Sequence, residues 1–232
     1  MFASSALAAS PSYSLFGDAA IVTPGNASAH AVQFRSASAV PPGYGGVDFV
    51  TSSPLTVNSL NTLSTDFKLV TGTCAGGAPR FALATSQGNI FVYLGTAPNY
   101  TCVNGVWQSS TNLFDPTDLI DTSQLPGGNF YDTVAHAKIL FGSLAITDFA
   151  LVTDSSWVAG NDPQTVQADN VMINSDLYTF EPNVPTNKDQ CKDGGYKNFT
   201  DQNFQPFKNQ GQCEKFVKDN QKKDKDKEDH SD

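Results

Sequence analysis

An aromatic ring held outside a protein core can stack on the apolar face of a pyranose, while amides and carboxylates beside it bond to the sugar hydroxyls. The segment from Pro98 to Gln108, PNYTCVNGVWQ, has that composition. Tyr100 and Trp107 supply rings, Asn99, Asn104 and Gln108 supply amides, and Cys102 pins the loop. A competing reading packs Trp107 against a disulfide at Cys102. Trp157, in Asp154-Ser155-Ser156-Trp157, is a second candidate, with capping of a core as its alternative. Tyr44, in the glycine-rich turn Pro42-Gly43-Tyr44-Gly45-Gly46, is a third, although such turns commonly carry a lone tyrosine.

Catalysis asks for convergent acids, bases or nucleophiles. Of the three histidines, His30 falls in a strand-like run, His136 in a helix-like one and His230 in a charged end. HExxH, GxSxG and Cys-His patterns do not occur. A glycosidase needs two carboxylates facing each other across a bond. Asp115, Asp118 and Asp121 are close in sequence, but consecutive loop acids are more often solvated. A non-catalytic protein is expected, with a glycoside-active enzyme as a further alternative.

Residues 16–180 must position these side chains, and they read as short β-prone runs punctuated by Gly, Pro, Asn and Ser. Strands are predicted over 20–23, 29–36, 46–51, 54–57, 66–71, 80–85, 90–94, 145–153, 165–174 and 177–180. Phe81 and Leu83 alternate with Arg80, Ala82 and Ala84, as on a strand with one buried face. Gln87-Gly88-Asn89 then turns the chain into Ile90-Phe91-Val92-Tyr93-Leu94. Helical spacing of Val134, Ala135, Lys138 and Ile139 predicts one short helix over 131–140. About ten strands in this length fit an all-β fold, a two-sheet jelly-roll-like sandwich. Residues 1–15 read as a leader remnant or a flexible arm.

Residues 1–186 carry four basic side chains, Arg35, Lys68, Arg80 and Lys138, against thirteen acidic ones, whereas residues 187–232 balance. Such a body repels phosphate, which excludes nucleic acid as an expected partner and makes anionic lipid unfavourable. No apolar run reaches the length of a membrane-spanning helix. The four cysteines allow three pairings; one pair in the body and one near the end favour the bridges Cys74–Cys102 and Cys191–Cys213. An even count without CxxC spacing suits an oxidising compartment, so a secreted or cell-surface protein is expected.

Residues 181–190 contain two prolines and few apolar groups and read as a linker, 191–217 as a disulfide-stapled cassette, and 218–232 as a disordered charged tail. The sequence leaves the oligomeric state open.

Two stretches resemble known families. Cys191-Lys192-Asp193-Gly194-Gly195-Tyr196, followed by Phe207-Lys208-Asn209-Gln210-Gly211-Gln212-Cys213, resembles a cassette that recurs at the C-terminus of exported bacterial proteins, here lengthened by the insert Asp201 to Gln205. It implies export and little chemistry. The body, with Val166 to Asn174 as its closing strand, resembles secreted jelly-roll modules of the carbohydrate-binding and lectin-like kind. That resemblance implies a glycan or cell-surface polysaccharide as partner and a structural Ca²⁺ at Asp169. An adhesive or structural cell-surface protein acting by self-association or host-surface contact is the alternative, because strand edges also serve contact between proteins.

Overall fold

The computed structural model describes residues 11–37, 42–74, 77–95, 102–155 and 163–228. The chain divides into two compact units, the second beginning at Glu181.

The first unit is an all-β sandwich. Its strands are β1 (Ser12–Gly17), β2 (Ala19–Val22), β3 (Ala31–Ser36), β4 (Gly45–Val50), β5 (Leu55–Thr56), β6 (Leu63–Thr71), β7 (Arg80–Thr85), β8 (Gly88–Tyr93), β9 (Gln108–Ser109), β10 (Leu119–Ile120), β11 (Asp132–Thr133), β12 (Ala145–Thr153), β13 (Gln164–Ile173) and β14 (Asp176–Tyr178), with helix α1 (Val134–Phe141) between β11 and β12. One sheet runs β1-β4-β12-β7-β8, with β5 on β12; the other runs β2-β3-β13-β6-β9, with β14 on β13. All ladders between these strands are antiparallel.

Period-two alternation builds the core. Phe81 and Leu83 point inward from β7, Ile90 and Val92 from β8, Val32 and Phe34 from β3, Phe67 and Leu69 from β6, and Val166 and Ala168 from β13; all belong to one buried cluster. Neighbouring outward positions stay partly exposed, so each inner strand has one wet face.

Gly17 lies at φ +63°, in the left-handed region that favours glycine, and turns the chain from one sheet to the other. Asp18 then donates its N–H to the Tyr44 carbonyl at 2.9 Å and accepts from the Arg35 N–H at 2.9 Å.

The predicted strands match observed ones, with differences at the ends. Ser12–Gly17 forms β1, although part of it lies in the stretch read as leader or arm. The helix begins at Val134 rather than 131, because Asp132–Thr133 pairs with β10 and Thr133 caps the helix by accepting from the His136 N–H. The two-residue strands β9, β10 and β11 have no periodic pattern to announce them.

In the second unit, Cys191, Phe207, Cys213 and Val217 form a small core beside Tyr196, Phe199 and Phe216. Residues 181–190 belong to it, and there Asn187 and Gln190 close a reciprocal capping box. Helix α2 spans Gln210–Glu228, so the charged run expected to be disordered is helical as far as Glu228. The Asn209 side chain accepts from the Gln212 N–H at 2.9 Å, and Cys213 and Val217, one turn apart, are both buried. The charged residues beyond them extend a helix that these contacts start.

Both disulfides are present. Cys74–Cys102 joins Cα atoms 5.6 Å apart, and Cys191–Cys213 joins Cα atoms 5.8 Å apart.

Candidate functional site

The outward face of the second sheet brings together a row of polar and aromatic side chains. In antiparallel pairs, directly opposed residues share a face. Gln33 stands opposite Ala20 and Gln167, and Gln167 stands opposite Lys68. Next to Lys68, β9 is in register with β6 at Phe67↔Gln108 and Asp66↔Ser109, which places Trp107 beside Lys68. The ammonium of Lys68 lies 5.3 Å from the centroid of the Trp107 ring, within the range of cation–π attraction. Gln167 donates through Nε2 to Gln33 Oε1 at 3.1 Å, while its own Oε1 is shielded from solvent and has no hydrogen-bond partner among the described residues. Arg35, two residues along β3, faces the same way opposite Thr165.

The loop carrying Trp107 is fastened by the amides proposed as ligand contacts. Gln108 accepts from the Val103 N–H at 3.1 Å and donates to the Val103 carbonyl at 2.7 Å, closing residues 103–108 on themselves. Asn104 donates to the Gly72 carbonyl at 2.8 Å, and the Gly105 N–H donates to the Leu69 carbonyl at 2.8 Å. Gln108 and Asn104 therefore position Trp107. The half-buried Trp107 ring makes a cation–π contact with Lys68. Tyr44 sits elsewhere, at the β1–β2 corner, with its ring 6.1 Å from that of Phe16. Asn99, Tyr100 and Trp157 lie outside the described residues.

The same face ends in a polar knot around Asp169 and Asp66, which are paired across β13 and β6. Asp169 is fully buried; its Oδ2 accepts from the Asn26 N–H at 2.9 Å and the Ser28 hydroxyl at 2.5 Å, and its Oδ1 from the Asn170 N–H at 2.8 Å. Asp66 Oδ2 accepts from the Asn26 and Asn170 side-chain amides at 2.9 and 2.8 Å. The expected Ca²⁺ at Asp169 would need a cage of oxygen ligands. The groups facing this carboxylate are N–H and O–H donors, which do not fit such a cage. Among the described residues no group of three or more His, Cys, Asp or Glu is placed to hold a metal ion.

The acids weighed for catalysis serve local structure. Asp121, nearly buried, accepts from the Tyr93 hydroxyl at 2.5 Å and the Ser123 N–H at 2.9 Å. Asp118 accepts from the Asp115 N–H at 2.7 Å, and burial is the chief cause holding its carboxyl above the ordinary range. His136 Nδ1 lies 2.6 Å from the buried Asp132, whose other oxygen accepts from the Thr122 hydroxyl at 2.9 Å. That hydroxyl is itself buried and bonds to the carboxylate, so Asp132 is held between His136 and Thr122.

Lys68, Gln167, Gln33 and Arg35 were not singled out from sequence. Their signal was a polar residue at every second position of otherwise apolar strands. Which of them share a row depends on register, which long-range pairing sets.

Fold and site together define a class: a disulfide-stapled, two-sheet antiparallel sandwich with an aromatic and amide row across one outer face. No protein-family model matches the chain, and comparison with curated proteins and with solved structures finds no match either.

Proposed function

We propose that this protein is an exported, non-catalytic binding module whose ligand is carbohydrate, held on the outward face of the second sheet. The observation that carries the reading is the cross-strand row in which Trp107, Lys68, Gln167 and Gln33 stand side by side. A half-exposed indole offers a stacking surface, and neighbouring amides on rigid strands offer the donors and acceptors that sugar hydroxyls match. The loop holding the indole is closed by Gln108 and Asn104, so ring placement is settled before a ligand arrives. Two disulfides favour an oxidising location, and no helix among the described residues is long and apolar enough to cross a membrane. The resemblance of the second unit to the cassette of exported bacterial proteins points the same way.

A glycan array tests the proposal. Discrete hits that vanish in Trp107→Ala, with circular dichroism unchanged, support it. Micromolar self-association without any glycan hit favours an adhesive or structural role instead.

A further inference from the structure

The first unit is strongly acidic, and the placement of its four cations is uneven. Arg80 is committed internally: it grips Asp154 with both terminal nitrogens, at 2.6 and 2.7 Å, and also donates to the Gly77 carbonyl at 2.8 Å. Lys138 is committed as well, donating to the Leu60 carbonyl at 2.6 Å and to Asn61 Oδ1 at 3.0 Å. The remaining two, Lys68 and Arg35, point out of the second sheet on the face that carries Trp107. Among the described residues no carboxylate lies within ion-pair distance of Lys68. Arg35 approaches Asp18 at 3.7 Å, Nε to Oδ2, with the side chains 45% and 32% exposed, a loose pair that solvent screens.

The carboxylates of this face are already answered. Asp66 accepts two side-chain amides, and Asp169 is buried beneath the Asn26–Ser28 turn. The opposite outer face differs: there Asp48 and Asp148 stand near each other, and burial followed by the Asp148 charge holds the Asp48 carboxyl above its ordinary range. Among the described residues of the first unit, the two loosely held cations thus share the face of the stacking ring. They lie on β6 and β3 with β13 between them, which with the two-residue step along the strands puts their backbones about 12 Å apart.

We infer that the glycan taken by this face is a carboxylate-bearing one, a uronate-containing oligosaccharide, with Lys68 and Arg35 pairing with carboxylates of a chain stacked at Trp107. This rests on the carbohydrate reading above. An ammonium beside a ring donates to a sugar carboxylate at the edge of the stacked residue, and a guanidinium fork matches a second carboxylate in bidentate fashion.

The full chain is tested on an array carrying uronate oligomers, their carboxyl-reduced counterparts, neutral glycans and sulfated neutral glycans, followed by titration of the hits. Uronate oligomers are expected to bind about tenfold more tightly than their reduced forms at low salt, one charge-assisted pair being worth about that much. The preference should shrink as salt rises. Lys68→Met keeps the aliphatic stem over the indole and removes the charge; it and Arg35→Gln should each lower affinity for the uronate by more than for the reduced form, so that the preference between the two shrinks. Trp107→Ala should lose both. Hits confined to neutral or sulfated glycans, or equal binding of acid and reduced forms, overturn the acidic assignment while leaving the carbohydrate reading in place. Absence of hits on every glycan removes that reading, and this inference falls with it.

Discussion

The guanidinium of Arg80 lies on the carboxylate of Asp154 in a fork, Nη1 to Oδ1 at 2.6 Å and Nη2 to Oδ2 at 2.7 Å, with side chains only 14% and 21% exposed. Removing one partner of a largely buried pair strands the other. Arg80→Ala and Asp154→Ala should each cost about 2 kcal/mol, and the double variant should cost less than the two together. Arg80→Lys should not restore the loss, since an ammonium cannot make the fork. Chemical denaturation of the four proteins gives the coupling directly; strict additivity would mean that the pair does not couple.

Asp169 illustrates a buried charge balanced by donors. Asp169→Ala would leave the Asn26 and Asn170 N–H groups without their acceptor and the Ser28 hydroxyl with the His30 carbonyl alone, at a cost of about 3 kcal/mol. The same geometry predicts that a chelator leaves the melting temperature of the parent protein unchanged. A fall in that temperature on adding EDTA, reversed by calcium, would falsify the donor-only account of this carboxylate.

The second unit depends heavily on Cys191–Cys213. Four buried residues form its core, two of them the bridged cysteines. Opening a bridge of this span frees about 3 kcal/mol of chain entropy in the unfolded state, which a core this small cannot offset. In Cys213→Ser, amide exchange over 188–217 should become fast while β6, β12 and β13 stay protected. Loss of Cys74–Cys102 should leave the sandwich folded, because a large apolar cluster holds it together.

Asp48 gives a pH dependence with a definite sign. Burial, then the neighbouring Asp148 carboxylate, hold it above the ordinary aspartate value of 3.8. Its protonated form therefore favours folding: the contribution is complete below 3.8 and is lost as pH rises through the raised value. Asp48→Asn should be more stable than the parent near pH 7, by a few tenths of a kcal/mol because solvent screens this side chain, and should lose that advantage near pH 3. Melting curves at the two pH values decide it, and an advantage that grows toward acid would reverse the sign.

Much of the fold was legible because alternation is a local property. Phe81 and Leu83, or Val166 and Ala168, mark a buried face whatever they pair with, and the cysteine placement favoured the bridges that form. The site was less legible. Trp107 stood out as an aromatic on a turn, yet its companions Lys68, Gln167 and Gln33 are far away in sequence and meet it only through pairing of β9, β6, β13 and β3. Asn104 and Gln108 looked like ligand amides because composition does not reveal that Val103 and Gly72 already hold them. Helix α2 went unforeseen along its whole length for a similar reason: the charged run has no apolar stripe, and a bridged, buried first turn starts it.

The corner at Gly17 and Asp18 has a mechanical meaning. One residue, Asp18, is hydrogen-bonded through its backbone to the chain entering β4 in one layer and to β3 in the other, while β1 and β2 run away from it in different sheets. A chain peeled away along β1 must therefore break a hydrogen bond to each layer at Asp18 before β2 can follow.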